Sequence, residues 1–162
     1  MKAERYMYLV KAAIVAVVIL ALSAPPLNAV VSNASVSPSS ITFTSSDPDV
    51  SVTGTPSTTN VSFKTTFNPA SFTVHVKALS TAFTGCNKPP ISAVKVTCSS
   101  ASGVTCASAA ALTSTGNGTT VATGSGNHNI ASLVLTYSFQ DSWNFQQGAS
   151  CSLSVQVLYT EP

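Results

Sequence analysis

Four side chains carry the clearest chemistry in this sequence: Cys86, Cys98, Cys106 and Cys151. Thiols at such positions either ligate a metal or pair with one another. No Cys-x-x-Cys occurs, and the two histidines, His75 and His128, are far apart in the chain, so no metal site is expected. An even number of cysteines fits an oxidising compartment and disulfides. Four cysteines allow three pairings. The favoured one is nested, with Cys98–Cys106 closing a short loop inside Cys86–Cys151. The outer closure would tie the middle of the chain to its last strand and contribute ~4 kcal/mol by the loop-entropy argument.

Catalytic groups are scarce. A Ser-His-Asp hydrolase needs three groups converging in space, and no Gly-x-Ser-x-Gly is present. His75 falls on the outward face of a regular strand pattern. His128 lies in Gly126-Asn127-His128-Asn129, which reads as a loop. Both histidines are therefore expected to be solvated. A glycosidase needs two carboxylates flanking a cleft. Beyond the leader the only acids are Asp47, Asp49, Asp141 and Glu161. Asp47 and Asp49 bracket Pro48 in a turn, where Asp serves local backbone hydrogen bonds. Ser46-Asp47-Pro48-Asp49 alone is too small a donor set for a calcium ion. No enzymatic activity and no cofactor are expected.

Two other features could bind. Tyr137, Phe139, Trp143 and Phe145 cluster around Gln140-Asp141-Ser142. Aromatic rings beside polar neighbours can stack on sugars, which makes Trp143, Phe145, Tyr137 and Asp141 the candidate ligand-binding set. The competing expectation is that Tyr137 and Phe139 belong to a strand core and that Trp143 plugs its end. Three Asn-x-Ser/Thr sequons, at Asn33, Asn60 and Asn117, are candidate glycosylation sites.

The elements that must position these residues follow from hydropathy. Residues 1–11 carry Lys2, Arg5 and Lys11, and residues 12–22 form an uncharged apolar run. That run is short of the ~20 residues a membrane-crossing helix needs, and it fits a signal-peptide core. Pro25 and Pro26 follow, and cleavage is expected after Ser23 or Ala29. The expected organisation is a helical signal peptide over 1–29, removed on export, and one domain over 30–162. No membrane association is expected after cleavage.

About a third of residues 30–162 are Ser or Thr, a composition that a disordered stalk would share. Alternation decides against a stalk. Phe72, Val74 and Val76 alternate with Thr73, His75 and Lys77. Leu133, Leu135, Tyr137 and Phe139 do the same, as do Leu153, Val155, Val157 and Tyr159. Period two puts one row in a core and the other in water. Shorter strands are expected at 41–44, 50–53, 60–64, 93–98 and 119–123. Turn signals such as Gly54-Thr55-Pro56 and Asn68-Pro69 separate them. Residues 107–112 read as loop or a short strand. The fold class is all-β, an Ig-like antiparallel β-sandwich of about 7–9 strands.

The stretch Val36-Ser-Pro-Ser-Ser-Ile-Thr-Phe43 resembles the opening strand of secreted bacterial and archaeal Ig-like surface modules. The antibody-type pattern is absent, because no Tyr stands two residues before Cys151. Small, exported, hydroxyl-rich subunits of extracellular filaments look similar, and some of them donate an N-terminal strand to a neighbour. Residues 30–37 would be that strand, or else the domain's own first strand.

Charged residues are 7% of the chain, against ~25% in ordinary soluble domains. Past residue 29 the four acids meet only Lys64, Lys77, Lys88 and Lys95. No basic face exists to bind nucleic acid. A neutral surface lacks the repulsion that keeps monomers apart. The expected function is an exported, non-enzymatic structural or adhesive protein, secreted or held at the cell surface, whose partners are itself or other surface proteins. The rival is a secreted carbohydrate-binding module that uses the patch around Trp143 to hold glycans.

Overall fold

A computed structural model describes residues 30–44, 50–66, 71–86, 89–140 and 150–160. Ten strands run through them: β1 Val30–Ser37, β2 Ser40–Thr44, β3 Ser51–Thr66, β4 Phe72–Ala78, β5 Val94–Ser102, β6 Thr105–Cys106, β7 Ala110–Ala111, β8 Thr119–Gly124, β9 His128–Gln140 and β10 Ser150–Thr160. The only helical element among the described residues is a 3-10 turn at Ile91–Ala93. None of their helices is long and apolar enough to cross a membrane. The expected leader, 1–29, lies outside the described residues.

The fold is all-β and every strand pairing is antiparallel. Hydrogen bonding follows one path, β6-β8-β4-β10-β2-β3-β9-β5-β7, with β1 added on β3. The period-two rows explain why this ribbon curls. Val74 and Val76 of β4, Leu153 and Val155 of β10, Val61 and Phe63 of β3, and Leu133 and Leu135 of β9 all join one buried cluster. A flat sheet would leave that face in water, so the two limbs close over it. Phe63 packs edge-on against Phe72 of β4 at 5.7 Å and lies 4.7 Å from the Tyr159 ring of β10. Those strands are not its neighbours in the path, so the contacts cross the core.

The joint between the limbs lies where β2 meets β3. They pair only at Thr42↔Thr55. There β3 bulges, because Thr53 opposes Ser138 of β9 while Thr58 opposes Thr136. Five steps on one strand answer two on the other. This bend replaces the turn expected at Gly54-Thr55-Pro56, and the strands expected at 50–53 and 60–64 are one continuous element. Gly54 is required at the bend, since a Cβ there would strike the Ile41 side chain and stand 3.1 Å from Phe43.

The ten strands exceed the 7–9 expected because β6 and β7 are two-residue pieces. Both are held by bonds to other strands. Cys98–Cys106 fastens β5 to β6, from opposite limbs of the path. The Thr119 hydroxyl donates to Ala111 O at 2.8 Å and accepts from the Thr113 amide at 3.1 Å, which links β8 to the end of β7. Residues 30–37 pair with β3 of their own chain, so within the molecule they form the domain's own first strand.

Candidate functional site

The outward rows of β5, β9, β3 and β1 make one continuous face. Pairing aligns Thr97, Thr136 and Thr58 in one row, and Ser102, Ser132, Ser62 and Ser35 in another. Between them Ser99, Val134, Asn60 and Ser37 line up. Thr and Ser suit these positions because β-branched and short polar side chains stand on a pleated surface without needing burial. Neighbouring hydroxyls satisfy one another: Ser35 Oγ and Ser62 Oγ are 2.8 Å apart. On the β2–β10 pair, Thr42 Oγ1 and Ser152 Oγ stand at 2.9 Å. Among the described residues the ionisable side chains of ordinary charge are Lys64, Lys77, Lys95 and the two histidines, and no acidic residue is present. Lys77 Nζ donates to Gly116 O at 3.1 Å.

His75 departs from expectation. Its parity on β4 is outward, yet it is 8% exposed rather than solvated. β4 lies between β8 and β10, and threonines from both flanks reach over the ring. His75 Nε2 lies 2.8 Å from Thr160 Oγ1, and Nδ1 lies 3.3 Å from Thr120 Oγ1. Each hydroxyl can donate or accept, so a neutral imidazole is satisfied on both sides. Burial lowers its pKa below the usual 6.5. The sign follows: the folded state disfavours the proton, so this contribution to stability is complete above about pH 6.5 and falls as the pH drops below it. Urea midpoints should therefore decrease between pH 7.5 and pH 5.5 by more in the parent than in His75→Gln; equal slopes would contradict the burial argument.

His128 begins β9 instead of sitting in a loop. Its amide donates to Thr65 Oγ1 at 2.9 Å, and its Nε2 faces Ser125 O at 2.8 Å. The Thr65 hydroxyl in turn donates a hydrogen bond to Gly126 O at 2.9 Å. These bonds lock the β8–β9 turn onto β3. The two histidines serve different ends of the fold and share no partner. No group of three or more metal-ligating side chains occurs among the described residues.

The candidate ligand set divides. Tyr137 is fully buried in the core, so its ring presents no surface to a sugar and it leaves the set. Its inward parity on β9, shared with Leu135 and Phe139, overrides its place in the aromatic cluster. Trp143, Phe145 and Asp141 lie outside the described residues. Burial raises the Tyr137 pKa to about 12, with the Thr59 hydroxyl nearby pulling the other way. The Thr59 hydroxyl donates a hydrogen bond to Pro38 O at 2.9 Å, and the Tyr137 oxygen has no partner of full hydrogen-bond geometry. The Tyr159 hydroxyl is likewise buried without a partner, and its pKa is raised to about 12 by burial. Removing an unsatisfied buried hydroxyl relieves a desolvation cost of about 1–3 kcal/mol. Tyr137→Phe should accordingly keep or raise the unfolding free energy by up to about 1 kcal/mol; a clear loss in urea titration would mean the hydroxyl is bonded.

Of the sequons, Asn60 and Asn117 are exposed. Asn33 belongs to β1, and its side chain lies outside the described residues. The cysteines join as Cys86–Cys151 and Cys98–Cys106, the nested arrangement, with none left free. Sequence patterning revealed the outward hydroxyl rows. It missed the shielding of His75, which depends on threonines placed by cross-strand register.

Comparison with protein-family models, curated proteins and solved structures yields no match to this chain.

Proposed function

We propose that the chain is an exported, non-enzymatic structural or adhesive protein of the cell surface, acting through contacts between copies of itself. The observation that carries this reading is the hydroxyl-rich face over β1, β3, β9 and β5, on which Lys64 and Lys95 are the charged side chains among the described residues. Such a face has mostly short side chains, few charges and a regular spacing, so a second surface can approach much of it closely at small entropic cost. Two disulfides support an oxidising compartment. The apolar run at 12–22, with basic residues before it, supports export by a cleaved leader. Glycans on the exposed Asn60 and Asn117 would add solubility that the charge does not supply.

Sedimentation and negative-stain microscopy of the purified exported protein test this reading. Assemblies larger than one chain are expected. A strict monomer at every concentration would overturn it. A monomer that binds glycans and loses them on Trp143→Ala would replace it with the carbohydrate-binding module.

A further inference from the structure

Resting on that reading, we infer that two copies join edge to edge through β1, in antiparallel register about a two-fold axis between Asn33 and Ala34. β1 pairs with β3 along one side, and its other side has no strand partner among the described residues. Its eight residues, Val-Val-Ser-Asn-Ala-Ser-Val-Ser, include no charge and no proline, two of the devices that blunt an open edge. An edge of this kind accepts one class of occupant, another extended backbone whose N–H and C=O groups complete the ladder.

The register makes that occupant a second copy of the same strand. β1 is bulged, since Ser32 opposes Lys64 while Ser35 opposes Ser62. Without the bulge Val31 and Val36, five residues apart, would point to opposite faces. With it, Val31 opposes Thr65 and Val36 opposes Val61, both buried and both on the inward face of β3. The pairs Val31/Val36 and Ser32/Ser35 thus match when β1 is read in either direction. About the proposed axis, Val31 of one copy meets Val36 of the other on the inner side, and Ser32 meets Ser35 on the outer side. No like charges are opposed, and the contact is isologous, as a closed dimer requires. The β7-β5-β9-β3-β1 limb would continue into the same limb of its neighbour. A larger assembly would need a second contact elsewhere on the surface.

The test is concentration-dependent sedimentation of the exported protein and of Ala34→Lys. Ala34 is exposed, so the substitution leaves the fold intact, which far-UV circular dichroism checks. Two lysines beside the axis should weaken dimerisation about tenfold or more, and salt should partly restore it. Ala34→Thr should dimerise like the parent. Hydrogen exchange on the unsubstituted protein gives an independent reading: amides of 30–37 should gain protection from dilute to concentrated solution. Self-association that neither Ala34→Lys nor concentration-dependent protection of β1 touches would overturn the inference and leave the assembly reading standing. A parent that stays monomeric throughout would overturn both.

Discussion

Replacing Cys86 and Cys151 together by alanine should lower the unfolding free energy by about 4 kcal/mol, against about 2.5 kcal/mol for the Cys98 and Cys106 pair. The difference comes from chain length. The first bridge closes a separation of 65 residues and the second one of 8. A longer closure removes more conformations from the unfolded chain. Cys86 and Cys151 are also buried in the core cluster, so their loss leaves a small void there. The long bridge anchors the start of β10, next to the isolated pairing of Thr84 with Ser152. Domains of this size carry only about 5–15 kcal/mol in total, so the double variant should unfold at much lower urea. Equal losses for the two pairs would mean that native-state strain, rather than closure entropy, sets their contributions.

Phe63→Ala is the second large effect, a loss of about 3–5 kcal/mol. Phe63 is buried on β3 and touches Phe72 and Tyr159 on the opposite limb. Truncation removes a ring that bridges the two halves of the curled sheet. The vacancy cannot close without moving both limbs, so the cavity penalty adds to the transfer penalty. Ile130→Ser makes the control, because Ile130 is 70% exposed. Its effect should stay within about 0.5 kcal/mol. Urea titrations followed by near-ultraviolet circular dichroism would measure both. A Phe63→Ala loss as small as that of Ile130→Ser would mean that the limbs do not pack across one core.

The rows on β4, β9 and β10 were legible because burial of one face imposes period two directly on the sequence. The joint was not. Gly54-Thr55-Pro56 carries a local turn signal, but the backbone there is bulged strand held under Ile41 and Phe43, residues remote in sequence. β6 and β7 were illegible for the same reason: two residues carry no period, and tertiary bonds make them strands. His75 shows a third kind of miss. Parity gave its side of the sheet correctly, while its burial depended on Thr120 and Thr160 standing over it. The bulge in β1 is likewise invisible in sequence, although it decides which valines share a face. The nested cysteine pairing is legible because it joins a short loop and ties the middle of the chain to its last strand. Tyr137 neighbours Trp143 in sequence, but it shares the inward parity of Leu135 and Phe139, and that parity decides its place in the core.

Non-reducing peptide mapping of the exported protein tests the central claim most directly: one curled sheet, closed by two nested bridges in an oxidising compartment. Trypsin separates Cys86 from Cys98 at Lys95, and chymotrypsin cutting after Leu112 and Tyr137 separates Cys106 from Cys151. The account predicts one linked species joining the Cys86 and Cys151 peptides, with Cys98 and Cys106 bonded to each other. A Cys86–Cys98 or Cys86–Cys106 species, or four free thiols, would contradict it.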